Sequence, residues 1–279
     1  MLKLSTAMSN YFNAQIGFGT SGLAENNHHW DRDKQALHYA IEVGYKVFDT
    51  AEMYSNGQTE IMLGEVLKES GCRDRLHIVS KVLPVNALTK ESIMACCRAS
   101  IARMKCDYID TYLLHWRSPD NLPLLHIIEA FVELQQMGLI KKYGVSNFGK
   151  GWMTEWMAIE KQLGADTFVT NQCHYSVTQR KPENYLTWMQ ENNLTFMAFS
   201  PLSNNRNQLL NNQQFLSVAQ DYSYTPAELA LAWTIRNSNV IAIPKSIQHK
   251  HIKDNLMTTN LQLNKEIVDK LNQLFPCQN

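Results

Sequence analysis

The chain has 279 residues, of which 44% are apolar and 19% charged, with 26 Lys plus Arg set against 26 Asp plus Glu. That length suits one α/β domain with a sizeable core, and no composition break divides residues 1–279. Charge balance argues against nucleic acid or an anionic membrane as the main partner, and no apolar run approaches the roughly 20 residues of a membrane-spanning helix.

The opening MLKLSTAMSNYF lacks a long apolar stretch, which argues against a secretory signal. Cys72, Cys96, Cys97, Cys106, Cys173 and Cys277 are scattered without CxxC spacing. They read as reduced thiols of a cytoplasmic protein. His28-His29 and His249/His251 lack the sequence context of a metal site, so no metal is expected.

Short apolar runs rich in β-branched and aromatic residues then alternate with amphipathic ones. Eight strands are predicted, at 15–19, 46–49, 76–81, 109–115, 141–146, 167–172, 195–200 and 240–245. Helical spacing begins near Asp33, where Ala36, Leu37, Ala40 and Ile41 share a face. It recurs at 59–69, in Ile93, Cys97, Ile101 and Met104, and in Ile127, Phe131 and Leu134. Further helices fit 152–163, 182–191, 225–237, 249–257 and 264–275. Thr225-Pro226-Ala227-Glu228 is a capping box with proline at the first helical position. The polar stretch 203–222 reads as a loop with a short extra helix over the mouth of the fold.

Eight strand–helix units predict a single (β/α)₈ barrel, with a doubly wound open sheet as the rival. Gly17-Phe18-Gly19-Thr20-Ser21-Gly22 matches the G-x-G-x-x-G dinucleotide fingerprint, which favours that rival. The fingerprint needs a helix starting within the glycines, and LAENNHHWDRD is a poor one. The glycines instead read as a tight loop that lets backbone pass close to a ligand or a neighbour.

In a barrel, chemistry gathers at the C-terminal strand ends. Asp49 ends the second strand, Tyr54 follows in its loop, Lys81 ends the third and His115 the fourth. The set suits carbonyl reduction. A phenol has a reference pKa of about 10, and a nearby ammonium favours the phenolate and makes Tyr54 a better acid. Asp49 would hold Lys81, and His115 would orient the carbonyl oxygen.

With FDTAEMY, SK at 80–81, YLLHW at 112–116, LIKKYGVSNF at 139–148 and IPKS at 243–246, the chain resembles the aldo-keto reductases, in particular their short microbial members. The resemblance implies a barrel that binds a nicotinamide cofactor without a Rossmann fold. It makes Asp49, Tyr54, Lys81 and His115 the catalytic tetrad. It assigns Ser146, Asn147 and Gln172 to the nicotinamide amide, Phe199 to the face of that ring, and Ser200 and Leu202 to the pyrophosphate. Lys245 and Ser246 match the adenosine 2′-phosphate site, and Asp254 and Asn255 the adenine. His251 replaces a common arginine, which implies NADPH as the preferred cofactor with room for NADH. Trp116 would line the substrate pocket, and Leu83 stands where many relatives carry tryptophan. The short loop WRSPDNLP and the end of the chain at Asn279 imply an open pocket for small aldehydes, dicarbonyls or keto-sugars. The implied protein is a cytoplasmic, monomeric, NADPH-dependent carbonyl reductase. The alternative is a non-catalytic cofactor-binding sensor or accessory subunit of the same fold.

Overall fold

The computed structural model describes residues 10–118 and 123–277. The start of the chain, its last two residues and the middle of the WRSPDNLP loop lie outside the described residues.

All eight predicted strands form. They are β1 (Phe18–Gly19), β2 (Val47–Asp49), β3 (His77–Val82), β4 (Ile109–Leu114), β5 (Ile140–Ser146), β6 (Phe168–His174), β7 (Thr195–Phe199) and β8 (Val240–Ala242). They pair in parallel and in chain order. The segment before β1 returns to β8: Gly17 N–H donates to Ala242 O at 2.8 Å, and Gly19 N–H to Pro244 O at 3.1 Å. These bonds join the two edges of the sheet and make it a barrel. They also decide the glycine motif. A Cβ on Gly19 would lie 2.7 Å from Ile243 O, so the residue permits close backbone approach at the seam. The next α-helix begins only at Trp30, so the glycines do not form a dinucleotide fingerprint turn.

The helices follow the strands: α1 (Trp30–Glu42), α2 (Gln58–Ser70), α3 (Lys90–Met104), α4 (Leu124–Gln136), α5 (Lys150–Gln162) and α6 (Glu183–Glu191). After β7 come α7 (Arg206–Leu210), α8 (Gln213–Asp221) and α9 (Pro226–Thr234), and after β8 come α10 (His249–Met257) and α11 (Lys265–Leu274). The capping box at α9 forms, with Glu228 N–H donating to Thr225 Oγ1 at 3.2 Å and Thr225 N–H to Glu228 Oε2 at 2.8 Å. That helix stops at Thr234, short of the expected 237, because Asn237-Ser238-Asn239 favours turns. The 203–222 stretch holds two helices instead of one. They are split at Asn211-Asn212, where the Asn212 side chain caps α8 by accepting from Phe215 N–H at 2.9 Å.

Two apolar layers result. The outer one packs the outward strand residues Phe48, Ile78, Tyr112 and Phe196 against the helices. The inner one fills the barrel with Val47, Val79, Leu113, Met197 and Ile241, and Phe12 packs against them. Gly144 takes part in the inner packing by having no side chain. A Cβ there would lie 2.3 Å from Thr170 O and 3.1 Å from Leu113 Cδ2. Gly144→Ala should therefore force β5 from β6 and destabilise the barrel by about 1–3 kcal/mol or more. Thermal unfolding checks this, and an unchanged Tm would contradict so close a contact between the two strands.

Candidate active site

The inner apolar layer sets the site by strand alternation. Two residues beyond each filler, on the same face, stands a polar or aromatic group. Val47 leads to Asp49, Val79 to Lys81, Leu113 to His115, Gly144 to Ser146, Thr170 to Gln172 and Met197 to Phe199. A ring of chemistry thus caps a plug of hydrocarbon at the C-terminal end of the barrel.

Lys81 is the centre of that ring and is 0% exposed. Its Nζ lies 2.8 Å from both oxygens of Asp49, 2.7 Å from Thr50 O and 3.2 Å from Tyr54 Oη. Three ammonium protons therefore meet three acceptor groups. Asp49 is held from the other side by Gln172 Nε2 at 2.7 Å. Burial pushes the Lys81 ammonium down, but Asp49 and Tyr54 more than offset it, and the net shift is upward.

Tyr54 is placed by its loop. Ser55, Asn56 and Gly57 all have positive φ, at 50°, 53° and 82°. The turn is tied down where Ser55 Oγ donates to Leu23 O at 2.7 Å and Thr59 Oγ1 to the same carbonyl at 3.0 Å. Burial raises the Tyr54 pKa; Lys81 opposes that and Asp49 adds to it. The expectation of a more acidic phenol is thus corrected. In this chain desolvation outweighs the ammonium, and Tyr54 holds its proton firmly at neutral pH.

His115 lies with its ring centroid 6.2 Å from that of Tyr54, and its Nδ1 is buried without a partner among the described residues. Burial first, and then the Lys81 charge, bring its pKa down to about 3.

Asp49, Tyr54, His115, Trp116, Ser146 and Asn147 line a cavity of ≈ 510 Å³. Gln172, Phe199, Ser200, Leu202 and Lys245 line it too, while Lys81 lies beneath its floor. Asn147 Nδ2 donates to His115 O at 3.2 Å and to Ser146 Oγ at 3.1 Å, and Ser146 Oγ donates to Gln172 O at 2.8 Å. Phe199 has its back covered by His174, at 5.6 Å between centroids and 18° between planes. A second cavity of ≈ 370 Å³ is lined by Ser246, His251, Asp254 and Asn255, and it shares Leu202 and Lys245 with the first. Leu83 lines neither; its backbone N–H donates to Glu52 Oε1 at 2.6 Å.

The structure adds residues the sequence reading missed. Met53 joins the wall beside Tyr54, and Arg206 lines both cavities. A signal for Arg206 existed, since it is the only charged residue between Leu202 and Gln220. No group of three or more potential metal-ligating side chains occurs among the described residues.

Residues 15–275 match the family model described as Aldo/keto reductase family. Methylglyoxal reductase YeaE of Escherichia coli K12 is 34% identical over 265 residues, covering 94% of this chain and 90% of that protein. Methylglyoxal reductase DkgB of Escherichia coli O157:H7 is 30% identical over 231 residues, covering 81% and 82%. Among solved structures, an aldo/keto reductase from Klebsiella pneumoniae in complex with NADP and acetate superposes with a TM-score of 0.85 at 34% identity, covering 95% and 92%. The thermostable aldo-keto reductase Tm1743 in complex with the inhibitor epalrestat gives 0.85 at 32%, covering 93% and 94%.

The depressed pKa predicts that His115 stays neutral throughout the physiological range. Its ring proton resonances, assigned by comparison with His115→Asn, should not titrate between pH 5 and pH 8. A midpoint near the ordinary imidazole value of about 6.5 would contradict a ring desolvated beside a buried ammonium.

Proposed function

Because the chain belongs to the aldo/keto reductase family, we propose that it reduces small aldehydes and dicarbonyls to alcohols with NADPH, using Tyr54 as the general acid. When bound, the dinucleotide supplies the hydride. The residues present suit such a group: paired cavities, amide and hydroxyl side chains at one end, and cations with Ser246 at the other.

The single observation that carries the reading is the proton inventory around Tyr54. Its oxygen accepts from Lys81 at 3.2 Å. Its own hydroxyl proton has no protein acceptor among the described residues, and the phenol lines the cavity. That proton is left to donate to a carbonyl oxygen there. The resulting phenolate stands beside a buried ammonium, which stabilises the charge as it forms. Asp49 keeps the ammonium charged, and Gln172 keeps Asp49 aimed. His115 is neutral and so does not compete as the acid; its part is to hydrogen-bond and orient the carbonyl oxygen.

Substrate size and polarity follow from the wall. Met53 and Trp116 are apolar neighbours of Tyr54 and His115, and no carboxylate other than Asp49 lines the same cavity among the described residues. This favours a small, largely apolar carbonyl over a keto-sugar. It agrees with two relatives that are named methylglyoxal reductases. Six free thiols suit a reducing, cytoplasmic setting.

Tyr54→Phe should lower turnover of methylglyoxal by roughly 10²–10⁴-fold, while NADPH still quenches tryptophan fluorescence as in the wild type. A variant keeping more than about a tenth of the activity would remove Tyr54 from the acid role. A wild type that binds NADPH but reduces no member of a panel of aldehydes, dicarbonyls and keto-sugars would favour the sensor or accessory role instead.

A further inference from the structure

A further cavity, of ≈ 500 Å³, lies outside the pair already described. Its walls come from the connection after β6, the connection after β7 and Phe275 beyond α11. Ser203 lines both this cavity and the first. His174 lines this one, and its ring is stacked on Phe199, which lines the first. The two spaces are therefore neighbours with the His174–Phe199 pair between them. Their chemistry differs. No charged side chain lines this cavity among the described residues. Five carboxamides do, from Gln179, Asn204, Asn205, Gln208 and Asn212, with hydroxyls from Thr178 and Ser203. Arg206, the one charged residue of α7, lines the other two cavities, while Gln208 and Leu209 of the same helix line this one. Burial lowers the pKa of His174, so its ring is neutral at pH 7.

Two of the lining residues carry polar atoms without partners. Asn204 Nδ2 donates to His174 Nδ1 at 3.3 Å, which leaves the ring proton on Nε2. That Nε2 is buried with no partner among the described residues, and so is Gln179 Oε1. One is a donor and the other an acceptor. Buried polar atoms are nearly always paired, and a hydroxyl is a group that both donates and accepts. An ion would lose hydration in this wall and meet no opposite charge. We propose that the cavity is a second small-molecule site, one that takes a neutral polyhydroxylated compound, a sugar or a sugar alcohol. Each carboxamide offers a donor beside an acceptor, which suits adjacent hydroxyls on one carbon chain. Phe275 and Leu209 supply an apolar patch for the C–H face of such a molecule. Tyr54 lines the first cavity and not this one. The occupant is therefore bound without being reduced, and the assignment does not depend on the cofactor.

The test titrates the protein with sorbitol and with methyl α-glucoside, neither of which carries a carbonyl. Binding is followed by NMR at the His174 ring and the side-chain amides. Saturable shifts at His174 and Gln179 are expected with at least one probe, with Kd on the order of 1–10 mM. Gluconate, which resembles sorbitol but ends in a carboxylate, should bind about tenfold more weakly or worse. Gln208→Leu and Asn204→Leu, both at exposed positions, should weaken the bound probe by about tenfold. Trp116→Ala, in the first cavity, should leave its affinity unchanged. Shifts confined to residues of the first cavity would overturn the proposal. So would failure of both probes to saturate, gluconate binding as tightly as sorbitol, or wild-type affinity in both leucine variants. The wild-type titration decides the location of the site whether or not the variants fold.

Discussion

One ammonium group holds this site together. Lys81 is fully buried, which an isolated charge would not survive. It persists because Asp49, Thr50 O and Tyr54 each take one of its protons. The same three contacts define the geometry. They draw β2, β3 and the loop after β2 to one point, with the phenol lining the cavity. Removing one partner from such a buried pair ordinarily costs about 3–5 kcal/mol, because the other charge is left uncompensated. Stability and the proposed chemistry therefore rest on the same atoms. A carboxylate is required where the apolar run Val47-Phe48 ends, since it is Asp49 that offsets the ammonium charge.

The outward faces of the strands do the complementary job. Ser80, adjacent to Lys81, points away from the cavity, and its Oγ donates to Glu60 Oε1 at 2.6 Å. Arg103 Nε donates to Glu60 Oε2 at 2.6 Å. This triad joins β3 to α2 and α3 directly behind the ammonium. The left-handed turn at 55–57 is fixed in a similar way, from below by Leu23 O and from the side by the Arg103 stem, which would lie 2.8 Å from a Cβ on Gly57. Tyr54 is thus positioned by contacts with the loop after β1 and with α3, elements remote from it in sequence. Strain in the two successive non-glycine residues with positive φ, Ser55 and Asn56, persists only under such constraint.

What the sequence made legible, and what it hid, follows this division. The strands and the inward ring were readable because alternation has a period of two, so an apolar residue two places before a polar one marks a shared face. Asp49, Lys81 and His115 stand out for that reason. The supports behind them were not readable. Ser55, Glu60 and Arg103 look like ordinary loop and helix-surface residues until folding shows what each one touches. The acidity of Tyr54 was misread because a neighbouring cation is visible in a motif while the extent of burial is not. The split of 203–222 into two helices was missed because its asparagines read equally well as loop or as cap, and only tertiary contact makes Asn212 a cap.

The glycine motif shows how the same residues serve different physics in different folds. In a fingerprint turn, glycines bring phosphates to the N-terminus of a helix, whose backbone N–H groups meet the charge. In this barrel Gly19 admits the carbonyl of Ile243 and lets β1 meet β8, and Gly22 lies alongside Lys245, whose Nζ would sit 3.7 Å from a Cβ built there. The positive charge at the junction of the cavities therefore comes from side chains and not from a helix end. Arg206 and Lys245 reach it from the connections after two neighbouring strands, on long flexible stems.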